Sequence, residues 1–352
     1  MIEAGPGAQA LRIGIVGAGV MAATHAEAWA RCGAREVRVL VRTDRRLPEG
    51  FGYSARATVF TDEEAFFAGL DILDICSPTD THPRLALRAA AAGVSTLCEK
   101  PLAPDGQTAA RIERAFATSS TALVVGHILR FGTPARVARE ALLRGDIGEL
   151  RALRLSRLSA SPARARPWFA DVRRSGGVIA DLMIHDLDLA EWFAGETESV
   201  CAVEAPGLPG GGTASALTRH VGGATASIEA SWDFPTPGYE SGFDLVGERG
   251  IITFRQGGVP LLWETGAEAP RALTERMDDR IDPFVRVARA LLRRREQDAA
   301  AAGERGIADG GVGRGPVLTL PGSARDAVRA VRLTDAARAS VRSGLPVRPE
   351  RG

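Results

Sequence analysis

Residues 11–22 constrain the chain more than any other stretch. Leu11-Arg12-Ile13-Gly14-Ile15-Val16 reads as a buried strand. It runs straight into Gly17-Ala18-Gly19-Val20-Met21-Ala22 and then a helical stretch from Ala23 to Cys32. Strand, glycine turn and helix in that order open a dinucleotide-binding βαβ unit, here with alanine as the third small residue. Gly17 permits the tight turn, and Gly19 lets the backbone approach a pyrophosphate. The helix N-terminus at Val20 and Met21 offers N–H donors to the same group. A plain strand–helix turn is the alternative reading of the glycines alone.

Val37–Val41 reads as the second strand. An acid at its end would hold a ribose 2′-hydroxyl, but Arg42-Thr43-Asp44-Arg45-Arg46 follows instead. Arg42, Thr43 and Arg45 suit a 2′-phosphate, which favours NADP(H), with NAD(H) possible. The other reading is a solvated basic loop in which Asp44 serves NAD.

Strand and helix patterns then alternate. Thr58–Thr61, Asp71–Cys76, Ser95–Cys98 and Ala122–Gly126 read as strands, and His82–Ala92 and Gly106–Ser119 as helices. Such alternation predicts a parallel, doubly wound sheet. Ser77-Pro78-Thr79-Asp80-Thr81-His82 stands at one strand end, where ligands bind in such sheets. Thr81 or Asp80 is a candidate helix cap. His82 faces a ligand or belongs to the capping turn.

After about residue 130 the pattern changes. Glu149–Ser159, Glu198–Glu204, Ala214–His220, Ala224–Trp232, Gly242–Val246 and Ile251–Arg255 read as strands of a mostly antiparallel sheet. Between the first two lie Pro167-Trp168-Phe169 and a stretch from Ser175 to Asp188, helical from Val178. On a regular helix Asp181 and His185 share a face, with Asp188 nearly on it. That pair is either a local ion pair or a chemical site. As metal ligands they lack an evident third partner. Residues 296–316, rich in Ala, Gly, Arg and Asp, read as a mobile loop, and Ser323–Arg342 as a closing amphipathic helix.

Lys100 is the only lysine among 352 residues, in a chain with 44 Lys and Arg together. It follows the strand-like stretch Ser95–Cys98 in Leu97-Cys98-Glu99-Lys100-Pro101-Leu102. Arginine is used wherever else a positive charge is wanted. A lone lysine at a strand end therefore points to a site needing a compact donor that can release a proton.

Length favours two domains: a dinucleotide-binding domain over 1–130 and an α+β substrate and oligomerisation domain over 131–352. The net charge of +1 argues against nucleic acid or membrane surfaces as partners. No apolar run approaches the roughly 20 residues of a membrane span. Met1 to Ala10 shows no secretion pattern, and Cys32, Cys76, Cys98 and Cys201 fit neither a disulfide framework nor a zinc site. A cytoplasmic location is expected.

Together these residues resemble the Gfo/Idh/MocA family of nicotinamide-dependent oxidoreductases, named for glucose–fructose oxidoreductase and inositol dehydrogenase. The likeness spans about residues 11–255. Its most specific parts are Glu99-Lys100-Pro101 and the Ser175-Gly176-Gly177…Asp181…His185 segment. Two positions depart from the family pattern: Thr79 stands for an asparagine and Val178 for a third glycine. The resemblance implies a Rossmann domain followed by an α+β domain with an open, mostly antiparallel sheet. It also implies a catalytic group of Lys100, Asp181 and His185, and no metal. Ser77, Pro78, Thr79, His82, Glu99 and Lys100 are expected beside the cofactor. Trp168, Lys100, Asp181 and His185 are expected beside a sugar, nucleotide-sugar or cyclitol. A glycosidase that oxidises its sugar transiently, and a non-catalytic cofactor sensor, are the competing readings. The open sheet is expected to pair subunits into a homodimer or homotetramer.

Overall fold

The computed structural model describes residues 11–42, 47, 51, 56–119, 121–207, 210–235, 238–273, 281–304 and 322–351. The amino-terminal part runs β1 (Ile13–Val16), α1 (Val20–Arg31), β2 (Glu36–Leu40), β3 (Arg56–Phe60), α2 (Glu63–Phe67) and β4 (Ile72–Ile75). It continues through α3 (His82–Ala91), β5 (Ser95–Cys98), α4 (Gly106–Thr118) and β6 (Leu123–Val125). All six strands are parallel, in the order β3-β2-β1-β4-β5-β6. Strand order reverses at β1, which opens a crevice at the carboxyl ends of β1 and β4. β1, β4 and β5 are buried at every position, because helices cover both faces.

The second part comprises α5 (Thr133–Arg144), β7 (Leu150–Ser159), α6 (Val172–Ser175), a π-helical turn (Ile179–Met183) and α7 (Ile184–Ala194). Then follow β8 (Thr197–Ala205), β9 (Thr213–His220), β10 (Thr225–Ser231), β11 (Tyr239–Gly247), β12 (Gly250–Arg255), β13 (Leu261–Glu264) and β14 (Arg271–Ala272). These eight strands lie in the order β14-β13-β12-β11-β7-β10-β9-β8. Every pair is antiparallel except β7 with β10. β9 alternates buried and exposed positions, so one face meets the helices and the other lies open. Leu182, Met183 and Leu187 pack there against Ala216, Ile228 and Trp232.

The last two helices, α8 (Asp282–Glu304) and α9 (Ala324–Ser343), change two expectations. The loop expected over 296–316 is helical as far as Glu304. Alanine and arginine are good helix formers, and α8 carries an apolar face that the tail's composition hid. Residues 305–321 lie outside the described residues. The division at residue 130 also fails to separate the packing units. Val287, Ala288 and Leu291 of α8 join Ile13, Trp29 and Val39 in one core, while Ala327 and Val331 of α9 join Leu85, Ile112 and Phe116 in another. The chain thus returns to cover the first domain. α9 starts at Ser323 as expected, in a capping box with Asp326.

Candidate active site

The carboxyl end of β5 delivers Glu99 and Lys100 into the crevice, followed by a cis Lys100–Pro101 peptide. Lys100 Nζ donates to the main-chain oxygen of Asp181 at 2.5 Å and to its Oδ1 at 2.9 Å. The side chains are 12% and 14% exposed, so the pair is shielded without being sealed. Asp181 sits in the π turn just before α7. Such turns are rare and cluster at functional sites. The turn replaces the regular helix on which the shared face of Asp181 and His185 was expected, and no hydrogen bond joins those two side chains. Lys100, from another domain, binds Asp181 instead.

His185 opens α7 and is half-buried, with Nδ1 shielded and without a hydrogen-bond partner. Burial holds its pKa well below the ordinary imidazole value, and the nearby charges of Lys100, Arg157 and His127 push the same way. The ring is therefore neutral and able to accept a proton. Arg157 is itself locked: Nε and Nη2 donate to Asp186 at 2.9 and 2.8 Å, and Nη1 donates to the Tyr239 hydroxyl at 2.5 Å. Asp188 does not continue the site. It accepts two hydrogen bonds from buried Arg130, at 2.8 and 2.7 Å, because a buried carboxylate needs a partner.

The cofactor crevice fits a dinucleotide. Gly17 adopts φ +111°, and a Cβ there would stand 2.9 Å from the Cys76 carbonyl oxygen, so only glycine makes this turn. A Cβ on Gly19 would meet nothing within 4 Å. α1 has no side-chain cap and no acid in its first turn, which leaves its first N–H groups to an anion. Val20 is 63% exposed and Met21 half-buried at that helix start. Arg42 is exposed two residues past β2. Thr43, Asp44, Arg45 and Arg46 lie outside the described residues.

Several expected contacts have other partners. The ring nitrogens of His82, 1% exposed, lie 2.8 Å from the carbonyl oxygens of Pro101 and Ser77. His82 thus fastens the two strand-end loops together. Thr79 is buried in a short 3-10 turn, and Ser77 Oγ lies 2.6 Å from Thr81 Oγ1. Thr81 precedes α3 without capping it by its side chain, and Asp80 pairs with Arg174. Glu99 is buried against His25 at 2.9 Å. Trp168 stacks on Phe169 with centroids 3.9 Å apart and leans on the second core.

Sequence reading missed His25, Asp74, His127, Arg157 and Tyr239. Asp74 had a signal, an acid in the middle of the apolar run Ile72-Leu73-Asp74-Ile75. The others are brought in by the tertiary fold alone.

Two family models match in tandem. The oxidoreductase family model with an NAD-binding Rossmann fold covers residues 11–127, and the GFO/IDH/MocA C-terminal domain covers residues 135–253. The chain belongs to the GFO/IDH/MocA family. It is 30% identical over 260 residues to D-apiose dehydrogenase of Rhizobium rhizogenes, covering 70% of this chain and 74% of that one. Inositol 2-dehydrogenase of Rhizobium meliloti is 28% identical over 255 residues, covering 69% and 74%. A levoglucosan dehydrogenase solved with NADH shares the fold with a TM-score of 0.80 at 20% identity, covering 98% and 100%. As a member of this family the chain is an oxidoreductase of CH–OH groups with an NAD-binding domain. Among the described residues no helix is long and apolar enough to cross a membrane.

Proposed function

We propose that the protein is a dehydrogenase oxidising a secondary alcohol of a sugar or cyclitol, with NAD(H) as the family cofactor and NADP(H) preference resting on Arg42. The observation that carries this reading is the meeting of Lys100 and Asp181 beside a neutral His185 at the mouth of the dinucleotide crevice. When bound there, the nicotinamide accepts the hydride. His185 takes the hydroxyl proton, as a base whose ring is held uncharged. An ammonium has three N–H donors, and Asp181 uses two of those on Lys100. The third is free to bind the substrate oxygen and to stabilise the developing alkoxide. The Asp181 carboxylate balances the ammonium and can accept a neighbouring hydroxyl, which suits a polyol.

The names of the relatives support polyhydroxylated substrates, and their dehydrogenase activities favour net oxidation over transient oxidation in a hydrolase. The open face of β8 and β9 shows Val203 at 66% and Leu217 at 63% exposure, which supports subunit pairing through that sheet. The test is a panel of myo-inositol, D-apiose, levoglucosan and other sugars, followed at the absorbance of reduced cofactor with NAD+ and with NADP+. Reduction of cofactor by at least one polyol is expected. Glycoside cleavage without net reduction would assign a hydrolase. Tight cofactor binding with no turnover on any panel member would assign a sensor.

A further inference from the structure

A buried polar line runs from α1 to Lys100, and none of the chemistry above uses it. His25 Nδ1 lies 3.0 and 2.9 Å from the two carboxylate oxygens of Asp74. Trp29 Nε1 donates to Asp74 Oδ2 at 2.6 Å. The other ring nitrogen, His25 Nε2, lies 2.9 Å from Glu99 Oε1. Glu99 Oε2 accepts the main-chain N–H of Lys100 at 3.2 Å. One imidazole therefore joins the middle of β4 to the end of β5. The last bond falls on the residue whose Nζ holds Asp181.

A carboxylate at each ring nitrogen requires both nitrogens to donate, so His25 is an imidazolium. Burial by itself would expel that proton, but the Asp74 charge and hydrogen bond outweigh it and hold the pKa well above the ordinary value. Burial likewise opposes the Glu99 charge, and the His25 hydrogen bond and charge, together with the nearby Lys100 charge, hold its pKa below the ordinary carboxylate value. The site is closed on both sides. Phe284 of α8 lies against the imidazole, centroids 5.3 Å apart. Gly126 leaves the space Glu99 occupies, since a Cβ there would lie 3.2 Å from Oε1. His25, Asp74 and Cys76 also bring ligand-type atoms within 4.8 Å of one another, but an imidazolium has no lone pair for a metal.

We infer that His25 and Glu99 are positioning residues: the bridge from Asp74 through His25 to Glu99 fixes the main chain at Lys100 and thereby sets where its Nζ meets Asp181 and the substrate oxygen. This rests on the role of Lys100 proposed above. Buried ion pairs are a weak source of stability compared with apolar packing of the same volume. What charged, hydrogen-bonded groups add is a fixed geometry, and a catalytic donor is sensitive to that, because displacement by about 1 Å can cost 10²-fold in rate.

Lys100 being the only lysine gives a direct test. Protein grown with 15N-lysine shows one main-chain amide signal, from the N–H bonded to Glu99. Glu99→Gln offers a carboxamide where two N–H donors converge, so one of them is left facing an NH2 group. His25→Gln breaks the bridge without altering any group bonded to Lys100. Ile228→Val, in the core of the second domain, serves as a control for general loss of stability. Both bridge variants should bind NADH within about threefold of wild type and should shift or broaden the lysine signal. With myo-inositol, or the panel member turned over fastest, they should lose about 10- to 100-fold in kcat with little change in KM. The control should leave both the signal and kcat in place. An unmoved lysine signal in folded His25→Gln, or an unchanged kcat in a variant whose signal has moved, would overturn the inference. The signal and the NADH titration need no turnover. Inactivity of wild type on every polyol would therefore sink the proposed function while the bridge itself is still judged by the signal.

Discussion

Lys100 Nζ is bound by two of the three oxygens of Asp181, the main-chain oxygen at 2.5 Å and Oδ1 at 2.9 Å, across 81 residues of sequence. A planar guanidinium is longer and cannot place one compact donor in that gap and another on a substrate oxygen. It also keeps its proton at every accessible pH. Lys100→Arg is expected to lose about 10²-fold or more in kcat, nearly as much as Lys100→Met, while both still bind NADH. Steady-state rates beside a thermal melt of each variant check this. An arginine variant with most of the wild-type rate would reduce Lys100 to a positioning charge.

His185→Ala should lower kcat about 10²–10⁴-fold, the range of a positioned general base. Cofactor affinity should barely move, since His185 lies on α7 in the second part of the chain. The pH profile carries a further expectation. The pKa of His185 is depressed, so its base form survives below the ordinary value near 6.5. Oxidation should therefore hold its rate as pH falls through about 6.5 and decline only below that. A kcat/KM profile that breaks at about 6.5 and keeps that break in His185→Ala would remove the base from this residue.

Cofactor choice turns on Arg42, exposed just beyond β2. Arg42→Asp is expected to weaken NADPH binding by about 1.5–3 kcal/mol, the scale of a hydrogen bond to a charged group, and to leave NADH nearly unchanged. Fluorescence titration of wild type and variant with each cofactor decides it. Equal wild-type affinities would make Arg42 part of a solvated loop.

The His25 bridge has a signature in stability as well as in rate. The folded pKa of His25 lies above its unfolded value of about 6.5, so the folded chain binds the proton more tightly. That contribution is fully present below about pH 6.5 and is lost as pH rises through the folded pKa. The gap in Tm between wild type and His25→Gln should be widest on the acid side and narrow toward alkaline pH. A gap that is constant over that span would mean His25 carries no bound proton.

Arg130 and Asp188 test the structural assignment of the third acid on the helix. Their side chains are 7% and 2% exposed. Asp188→Ala leaves a buried guanidinium short of its main partner and should cost about 3–5 kcal/mol of folding stability. Denaturant unfolding measures it. A loss of turnover with stability intact would return Asp188 to the site.

The sequence determined the parallel sheet, because strand and helix patterns alternate along the first part of the chain and β1 reads as an apolar run whatever surrounds it. It determined the phosphate turn, because the positive φ of Gly17 and the open flank of Gly19 are properties of residues within one loop. It also singled out Lys100 by composition, and Asp181 and His185 by spacing. Spacing misjudged how they meet, since a π turn is set by packing and has no periodic signature. Glu99 and His82 looked like ligand contacts because they stand at strand ends. Tertiary structure alone decided their protein partners, His25 for Glu99 and the Ser77 and Pro101 carbonyls for His82, since a buried charge or imidazole must find its hydrogen bonds wherever the fold supplies them. The return of α8 and α9 onto the first domain was likewise decided there, because an apolar helix face does not say which core it will cover.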